Sequence, residues 1–246
     1  MLYNKHNTIN IPNNKMQQLL FFDTETTGLL PKYTSLHDVH KFPYIVQLSY
    51  IIFSILNNTY KTEVISDFVI NLPNNIKISK EASDIHGITR EKSSQSNITI
   101  DDALEVFMND FIHMDKIIAH NISFDLTMIK VEILRKINEF ATNHNSIKLN
   151  QYNTYLQIII MYNNYYCTMK STTEYCNIIT AKGYVKWPKL SELHNKMFSS
   201  IPHNLHNSLN DVFITIRCYF KHVYNIDIYN ATKCLITRKY LKKLLK

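Results

Sequence analysis

Runs of apolar residues in the first third of the chain predict three consecutive strands. The first is predicted over residues 18–24, around the apolar run 19–22. Residues 44–56 and 60–71 are rich in β-branched and aromatic residues, and Asn57-Asn58 separates them in the manner of a tight turn. The pattern therefore predicts one buried strand followed by two strands that a hairpin turn connects.

Beyond residue 98 the apolar residues follow helical spacing. Apolar positions three or four apart give residues 98–113 the stripe of an amphipathic helix, with Thr99 or Asp101 as its candidate N-cap. A strand is then predicted at 116–121. Three further helices are predicted at 123–140, opening at Ser123, within 186–198 after a Trp-Pro corner, and at 208–224. Strands followed by alternating strands and helices favour the α/β class, with a mixed β-sheet flanked by α-helices.

The remaining segments give weaker patterns. Residues 141–150 are polar and indicate a loop, and residues 165–169 are compatible with a short strand. The polar, Asn-rich beginning of the chain suggests a loose leader, and its end is basic and amphipathic. We therefore divide the chain into a leader over 1–17, one domain over 18–224 and a C-terminal tail over 225–246.

Composition narrows the class of protein. The 246 residues suit one sizeable domain, and 27 Lys and Arg against 20 Asp and Glu give a net charge of +7, which hints at a polyanionic partner such as nucleic acid. The four cysteines form no C-x-x-C pair, which indicates reduced thiols rather than a disulfide framework or a zinc site. No membrane span or signal peptide is recognisable, so we expect a soluble intracellular protein of the cytoplasm or nucleus. Abundant Asn, Ile, Lys and Tyr are typical of an AT-rich genome, cellular or viral.

Two acids interrupt the end of the first predicted strand. Asp23 and Glu25 stand two residues apart, so their side chains leave the same face of a strand, and Thr24 points to the other face. Two neighbouring carboxylates in a partly buried position repel each other unless a cation compensates them. Hard divalent ions such as Mg²⁺ bind through carboxylate oxygens, which makes a metal site one interpretation. The alternative is a strand end that frays into a polar turn.

Two further acids lie at the starts of predicted helices. Asp125 follows the strand at 116–121, and Asp211 lies in the helix at 208–224, five residues after His206. Five residues correspond to about 140° around a helix, so His206 must precede the helix if both residues serve one site. Each acid also has a purely structural explanation. Asp125 could be an N-terminal acid that the helix dipole stabilises. Asp211 could complete a capping interaction in which Ser208 is the N-cap.

Taken together and in this order, the three segments resemble the DEDDh 3′→5′ exonucleases of the RNase H-like superfamily, which include the proofreading ε subunit of bacterial DNA polymerase III. "FFDTETTGL" is similar to the first exonuclease motif, "AHNISFD" to the second and "HNSLNDV" to the third, H-x₄-D. "IHGIT" and "KWPKLSEL" also resemble this family, and the resemblance covers about residues 18–222. The position four before Asp211 is Asn207 rather than Tyr, which favours this class over the related DEDDy class.

The resemblance implies a mechanism. Asp23, Glu25, Asp125 and Asp211 would hold two Mg²⁺ or Mn²⁺ ions roughly 3.5–4 Å apart, one activating the attacking water and one stabilising the leaving 3′-oxygen. His206 would be the general base, because histidine ordinarily titrates near neutral pH. The product would be a nucleoside 5′-monophosphate. The substrate would be the 3′ end of a nucleic acid, single-stranded or frayed, with DNA favoured over RNA. The resemblance does not decide whether the protein also has a polymerase or repair partner.

The resemblance also implies a pocket for the terminal nucleotide. Stacking or wedging by apolar groups suits single-stranded ends because it tolerates any base sequence. Each of these residues has core packing as its alternative. The candidate substrate-binding residues are Thr26, Thr27, Gly28, Leu29, Ile85, His86, Asn121 and Phe124.

Three other functions remain open at this stage. An exoribonuclease that trims RNA ends would use the same acids, because the metal site does not distinguish DNA from RNA. A catalytically silent nucleic-acid-binding module would keep the fold but would be expected to lose at least one acid. A phosphohydrolase of small nucleotides would turn over mononucleotides or dinucleotides and leave longer strands intact.

The basic tail has two interpretations as well. Residues 231–246 alternate six Lys and Arg residues with Leu, Ile and Tyr. The segment could be a helix that packs on the domain through its apolar side. Alternatively, it could bind the phosphate backbone of the substrate, in which case deleting it would weaken binding and reduce its salt dependence.

Overall fold

A mixed five-stranded sheet forms the centre of the structure, a computed structural model that describes residues 15–246. Residues 1–14 of the predicted leader lie outside the described residues. A separate two-stranded hairpin lies beside the sheet. The strands are β1 (Gln17–Thr26), β2 (Ile45–Leu56), β3 (Thr59–Val69), β4 (Lys116–Ala119) and β5 (Tyr165–Cys167) in the sheet, and β6 (Ile178–Ile179) and β7 (Val185–Lys186) in the hairpin.

The order of the strands in the sheet is β3-β2-β1-β4-β5. The pairs β1–β2 and β2–β3 are antiparallel, and the pairs β1–β4 and β4–β5 are parallel. The carboxyl ends of β1, β4 and β5 therefore lie at one edge of the sheet. The two acids of β1 lie at this edge, near the segment that connects β4 to the next helix.

Helices cover both faces of this sheet, which confirms the predicted α/β class. A short 3₁₀ turn over Val39–Lys41 precedes β2. The helices are α1 (Lys80–His86), α2 (Arg90–Ser94), α3 (Ile100–Phe111), α4 (Ile122–Thr142), α5 (Ser146–Met161), α6 (Thr168–Ser171), α7 (Thr173–Cys176), α8 (Leu190–Phe198), α9 (Ser208–Tyr224), α10 (Ile228–Ala231) and α11 (Leu235–Leu244). Within residues 15–246, none of them is long and apolar enough to span a bilayer.

Two hydrophobic cores lie on opposite faces of β1. Leu20 and Phe22 pack into a core with residues of α3, α4 and α5. Leu19 and Phe21 pack into a second core with residues of α8, α9 and α11. The apolar run of β1 is continuous rather than alternating because helices cover both faces of the strand.

Local sequence signals account for several element boundaries. Asn57 and Asn58 have φ angles of 47° and 58°, the left-handed conformation that a two-residue hairpin turn requires. At the start of α3, Thr99 is the N-cap: its hydroxyl accepts a hydrogen bond from the Asp102 N–H, and the Asp102 carboxylate accepts from the Thr99 N–H. This reciprocal capping box decides between the two N-cap candidates in favour of Thr99.

Two predictions of local structure are wrong. The segment 141–150 was predicted as a loop, but residues 146–150 form the first turns of α5, which begins after the N-cap Asn145. The N-cap of α9 is Asn207 and not Ser208, because the Asn207 side chain accepts from the Asn210 N–H. Ser208 instead donates its hydroxyl hydrogen to the Asp23 carbonyl oxygen at 2.6 Å, which ties α9 to β1.

The apolar side of the C-terminal segment packs on the domain, as the first of its two interpretations proposed. In α11, Thr237, Leu241 and Leu244 are buried at helical spacing, and the two leucines pack into the core that contains the apolar residues of α9. The Tyr240 ring stacks on Phe213 of α9 with ring centroids 4.7 Å apart. Deleting the whole segment would therefore expose part of the core, so it cannot test substrate binding cleanly.

We expect Leu241→Ala to lower the free energy of unfolding by about 2–5 kcal/mol, because it removes a fully buried side chain and leaves a cavity. Leu235→Ala on the same helix is the matched control, since Leu235 is 79% exposed. It should change the free energy by less than about 0.5 kcal/mol. Urea denaturation of both variants measures the difference, and equal values would show that α11 does not pack as described.

Candidate active site

The candidate site is built on the carboxyl end of β1. By strand alternation, Asp23 and Glu25 lie on the same face as Phe21, the face that α9 covers. Asp23 is paired with Ser49 of β2 and Glu25 with Gln47. The register shifts directly after Glu25, and such an irregularity bends a strand and re-aims its side chains.

The first turns of α9 bring a third acid to these two. Asp211 is the fourth residue of α9, and this helix packs against β1. Asp23, Glu25 and Asp211 each offer one carboxylate oxygen, and these atoms lie within 4.8 Å of one another. Two neighbouring acids of β1 and one acid that is distant in the sequence therefore form one cluster.

The fourth predicted acid reaches β1 from the opposite face. Asp125 lies in the first turns of α4 and is almost fully buried. Its Oδ1 accepts hydrogen bonds from the Thr24 N–H at 3.0 Å and from the Thr24 hydroxyl at 2.8 Å. Asp125 is therefore adjacent to the three-acid cluster. It is oriented by Thr24, the residue between Asp23 and Glu25.

Burial and mutual repulsion make this group of carboxyls difficult to ionise. Burial, followed by the charges of Asp125, Asp211 and Glu25, raises the pKa of Asp23 well above its ordinary value. Burial and the charges of Asp211 and Asp125 raise the pKa of Glu25 to about 8. Burial is also the main reason that the pKa values of Asp125 and Asp211 rise to about 7.

This donor set fits hard divalent cations. None of the ion pairs formed within residues 15–246 involves one of the four carboxyls. A buried carboxylate cluster without a basic partner is stable in its ionised form only when cations bind it. Mg²⁺ and Mn²⁺ prefer carboxylate oxygens of this kind. The geometry and the electrostatics both match such ions.

His206 lies in the loop directly before α9, as the spacing to Asp211 required. Its backbone is left-handed, with a φ of 68°, and its side chain is exposed. Its N–H donates to both carboxylate oxygens of Asp211, at 3.3 Å each. The main chain of His206 thus orients Asp211, while its side chain borders an open groove beside the acids.

A cavity of about 530 Å³, here called the terminal cavity, opens beside Glu25. Six of the eight predicted substrate-binding residues line it: Thr26, Gly28, Leu29, Ile85, His86 and Phe124. Ser79, Glu81 and Ala82 of the α1 region also line it and were not predicted, because nothing in their sequence distinguishes them from an ordinary helix start.

The two other predicted substrate residues have structural partners. The Thr27 hydroxyl oxygen accepts from the Tyr44 N–H at 2.9 Å. Asn121 is the N-cap of α4, with a left-handed φ of 67°.

His86 lines the cavity and also makes two hydrogen bonds that fix its ring in place. Its Nδ1 accepts from the Ile88 N–H, so its Nε2 carries the hydrogen that it donates to the Thr26 carbonyl oxygen.

A polar network that the sequence analysis missed holds the start of α9. The Gln47 side-chain oxygen accepts from the Ser208 N–H at 3.3 Å, and the Gln47 amide nitrogen donates to Asp67 at 2.7 Å. The Ser49 hydroxyl donates to the same Asp67 oxygen at 2.7 Å. The available signal was the presence of Gln and Ser within the otherwise apolar run 44–56.

Comparisons with known proteins agree with this geometry. Residues 20–219 match the family described as exonuclease, RNase_T. The fold is similar to that of E. coli Exonuclease I in complex with a dT13 oligonucleotide, at 16% sequence identity and a TM-score of 0.55, over 83% of this chain and 41% of that chain. It is also similar to Exonuclease I from Methylocaldum szegediense, at 14% identity and a TM-score of 0.56, over 92% of this chain and 45% of that chain.

These similarities show the exonuclease fold that the sequence motifs predicted. The chain spans less than half the length of the Exonuclease I chains that it matches. A search of curated protein sequences finds no match.

Proposed function

The chain belongs to the exonuclease family, and we propose that it is a metal-dependent 3′→5′ exonuclease that releases nucleoside 5′-monophosphates from single-stranded DNA. One observation carries this proposal: the carboxylates of Asp23, Glu25 and Asp211 converge within 4.8 Å beside the terminal cavity. DNA is proposed as the substrate because E. coli Exonuclease I, which has a similar fold, has been solved with dT13 and dA16 oligonucleotides.

The acids supply the metal-binding part of the site. Asp23, Glu25 and Asp211 would hold two Mg²⁺ or Mn²⁺ ions, with Asp125 completing the set from the other face of β1. Bound ions of this kind lower the barrier to phosphodiester hydrolysis by stabilising charge on the attacking and leaving oxygens. Thr24 holds the Asp125 carboxylate in place, and the His206 N–H holds that of Asp211.

The remaining residues position the strand and move a proton. The apolar side chains of Leu29, Ile85 and Phe124 line the terminal cavity and offer walls against which the last base can stack or wedge. Such contacts do not depend on base identity, as removal of successive nucleotides requires. The His206 side chain, exposed at the rim of the site, would accept the proton of the attacking water.

A labelled-strand assay tests the proposed function. A 5′-labelled 20-nucleotide DNA strand should shorten one nucleotide at a time, and a 3′-labelled strand should release a labelled mononucleotide at the first step. Both reactions should require Mg²⁺ or Mn²⁺ and stop in EDTA. Release from the 5′ end, or binding without hydrolysis in either metal, would contradict the proposal. RNA strands of the same sequence show whether the substrate is DNA or RNA, and faster cleavage of RNA would contradict the DNA assignment.

We expect Gln47→Ala to lower kcat about 10- to 100-fold, because it removes the side chain that holds the start of α9, and with it Asp211. Steady-state hydrolysis of the 5′-labelled strand measures the change. Ser49→Ala is the matched control: Ser49 also binds Asp67 but does not contact α9 in the hydrogen bonds of the described chain. Ser49→Ala should retain kcat within about threefold. Similar losses in both variants would show that the network stabilises the sheet without orienting Asp211.

A further inference from the structure

A row of open cavities extends from the acids to the C-terminal helix. The terminal cavity is the first of them. The second, here called the middle groove, has a volume of about 480 Å³ and includes His206 in its lining. The third, the basic groove, has a volume of about 600 Å³ and is lined by Ile236, Lys239, Tyr240, Lys242, Lys243 and Lys246.

Shared wall residues make these cavities one continuous surface. Ile85 and His86 line both the terminal cavity and the middle groove. Tyr240 and Lys243 line both the middle groove and the basic groove. The three cavities therefore adjoin one another in a row that leads from the terminal cavity, past His86, to the lysines of α11.

The basic groove has a fixed position relative to the acids. Tyr240 of α11 stacks on Phe213, which lies two residues after Asp211 on α9. The Leu244 carbonyl oxygen at the end of α11 accepts from the His203 N–H at 2.8 Å, within the loop that leads to His206. Because α11 is bound to both the helix and the loop of the site, its lysines do not depend on a flexible tail to reach the substrate.

The four lysines of the groove are not used in packing. Lys239, Lys242, Lys243 and Lys246 are exposed, whereas the buried face of α11 is formed by Thr237, Leu241 and Leu244. None of these lysines forms an ion pair with a carboxylate of the described chain. Four unpaired positive charges along one groove are complementary to a polyanion.

The middle groove is lined by acids as well as by a lysine, so it suits a strand that passes through it rather than one that is tightly bound there. Its two acids are both engaged: Asp84 pairs with Lys80, and Asp67 accepts from Gln47 and Ser49. The positive charge therefore concentrates beyond it, on α11.

We propose that the basic groove of α11 binds the backbone phosphates of a single-stranded nucleic acid, upstream of the 3′ nucleotide that occupies the terminal cavity. This inference rests on the proposed function, since it assigns the terminal cavity to the 3′ end. It makes the protein selective for strands long enough to reach α11. Phosphate contacts carry no base specificity, so the groove serves every sequence.

Two charge-matched double variants test the groove. Lys239→Gln with Lys243→Gln removes two charges from it, and Lys233→Gln with Arg238→Gln removes two charges from the same segment outside it. All four positions are exposed, so thermal melting should show both proteins folded. Binding of fluorescent DNA and RNA strands of 2 to 20 nucleotides is measured by anisotropy in EDTA, where no hydrolysis occurs.

The groove pair should weaken binding of the 20-nucleotide strands about 10-fold and reduce the slope of log affinity against log salt by about 1.4, the value for two lost phosphate contacts on a single strand. The control pair should change both much less, and dinucleotide binding should be the same in all proteins. Equal losses in the two pairs, or an unchanged salt slope in the groove pair, would overturn the inference. A larger loss with only one of the two strand types assigns the groove to DNA or RNA.

The binding assay separates this inference from the proposed function. If the wild-type protein binds long strands through the groove but does not hydrolyse them with Mg²⁺ or Mn²⁺, the groove stands and the exonuclease proposal fails. If it hydrolyses strands and the groove pair does so at the wild-type kcat/KM, the exonuclease proposal stands and the groove fails.

Discussion

Replacing Asp211 with Asn is expected to lower the rate of strand hydrolysis by several orders of magnitude and to leave the fold intact. Asp211 contributes one of three carboxylate oxygens that lie within 4.8 Å of one another. An amide keeps the size of the side chain and one acceptor for the His206 N–H, but it removes the negative charge that a divalent ion needs. Single-turnover hydrolysis of a 5′-labelled strand measures the loss, and Asp23→Asn should behave in the same way.

The same variant should stabilise the metal-free protein at alkaline pH. Burial raises the pKa of Asp211 to about 7 and, with its neighbours, that of Glu25 to about 8, whereas both acids titrate near pH 4 in an unfolded chain. The folded state therefore binds more protons than the unfolded state between these values, and its stability falls as the pH rises from about 4 to 8. Asp211→Asn removes one of the repelling charges, so its Tm in EDTA should exceed that of the wild type more at pH 8 than at pH 5.

Asp38→Asn is the control for both measurements, because Asp38 is a partly exposed acid in an ion pair with Lys41, away from the cluster. It should match the wild type in rate and in the pH dependence of Tm. If Asp211→Asn kept more than about a tenth of the wild-type rate, Asp211 would not be a metal ligand. If it lowered the Tm at pH 8, the carboxyl would stabilise the metal-free fold instead of straining it.

The parts of the fold that the sequence predicts well are those in which local and tertiary preferences agree. Residues 208–224 carry an apolar stripe that faces the second core, and α9 has those bounds. Asn57 and Asn58 tolerate the left-handed conformation that joins β2 to β3. In these segments the side-chain pattern, the turn chemistry and the burial all specify one structure.

Helix α5 was missed because its apolar residues do not lie on one face. Tyr152, Tyr155 and Ile159 are buried, but Ile147 and Met161 are 80% and 78% exposed. The contrast between its faces is therefore weak, and its Asn and Ile residues have only modest helix propensity. The helix forms because it packs against α4, a long-range effect that no window of the sequence contains.

The site also divides into features that the sequence predicts and features that depend on tertiary packing. The motifs identified the acids, and their spacing predicted that His206 would precede α9, but the contacts between elements could not be read from them. Asp125 binds Thr24 on the face of β1 opposite to the cluster, and Gln47 reaches across to α9 from β2. Both contacts depend on how strands and helices meet, so they emerge only once the sheet order is known.

Replacing His206 with Asn is expected to lower the hydrolysis rate about 10²- to 10⁴-fold, the usual contribution of a positioned general base. Asn is a better test than Ala, because position 206 has a φ of 68° and Asn tolerates the left-handed conformation more readily than Ala does. The backbone N–H that Asp211 accepts is retained in this variant. The loss of rate can then be assigned to the imidazole, since neither the loop nor the acid cluster is disturbed.

Assigning the base to His206 also requires that binding of the metal and of the 3′ end be measured beside the rate. Because His206 is not among the three clustered acids, His206→Asn should bind Mn²⁺ and a 3′ end with wild-type affinity, as titration calorimetry can determine. His203→Asn is the matched control, since His203 is an exposed histidine of the same loop whose N–H bonds to Leu244. A His206 variant with the wild-type rate, or one that no longer binds Mn²⁺, would show that His206 is not the base. A large loss in the His203 variant would then identify His203 as the proton acceptor, because it is the nearest other imidazole along the chain.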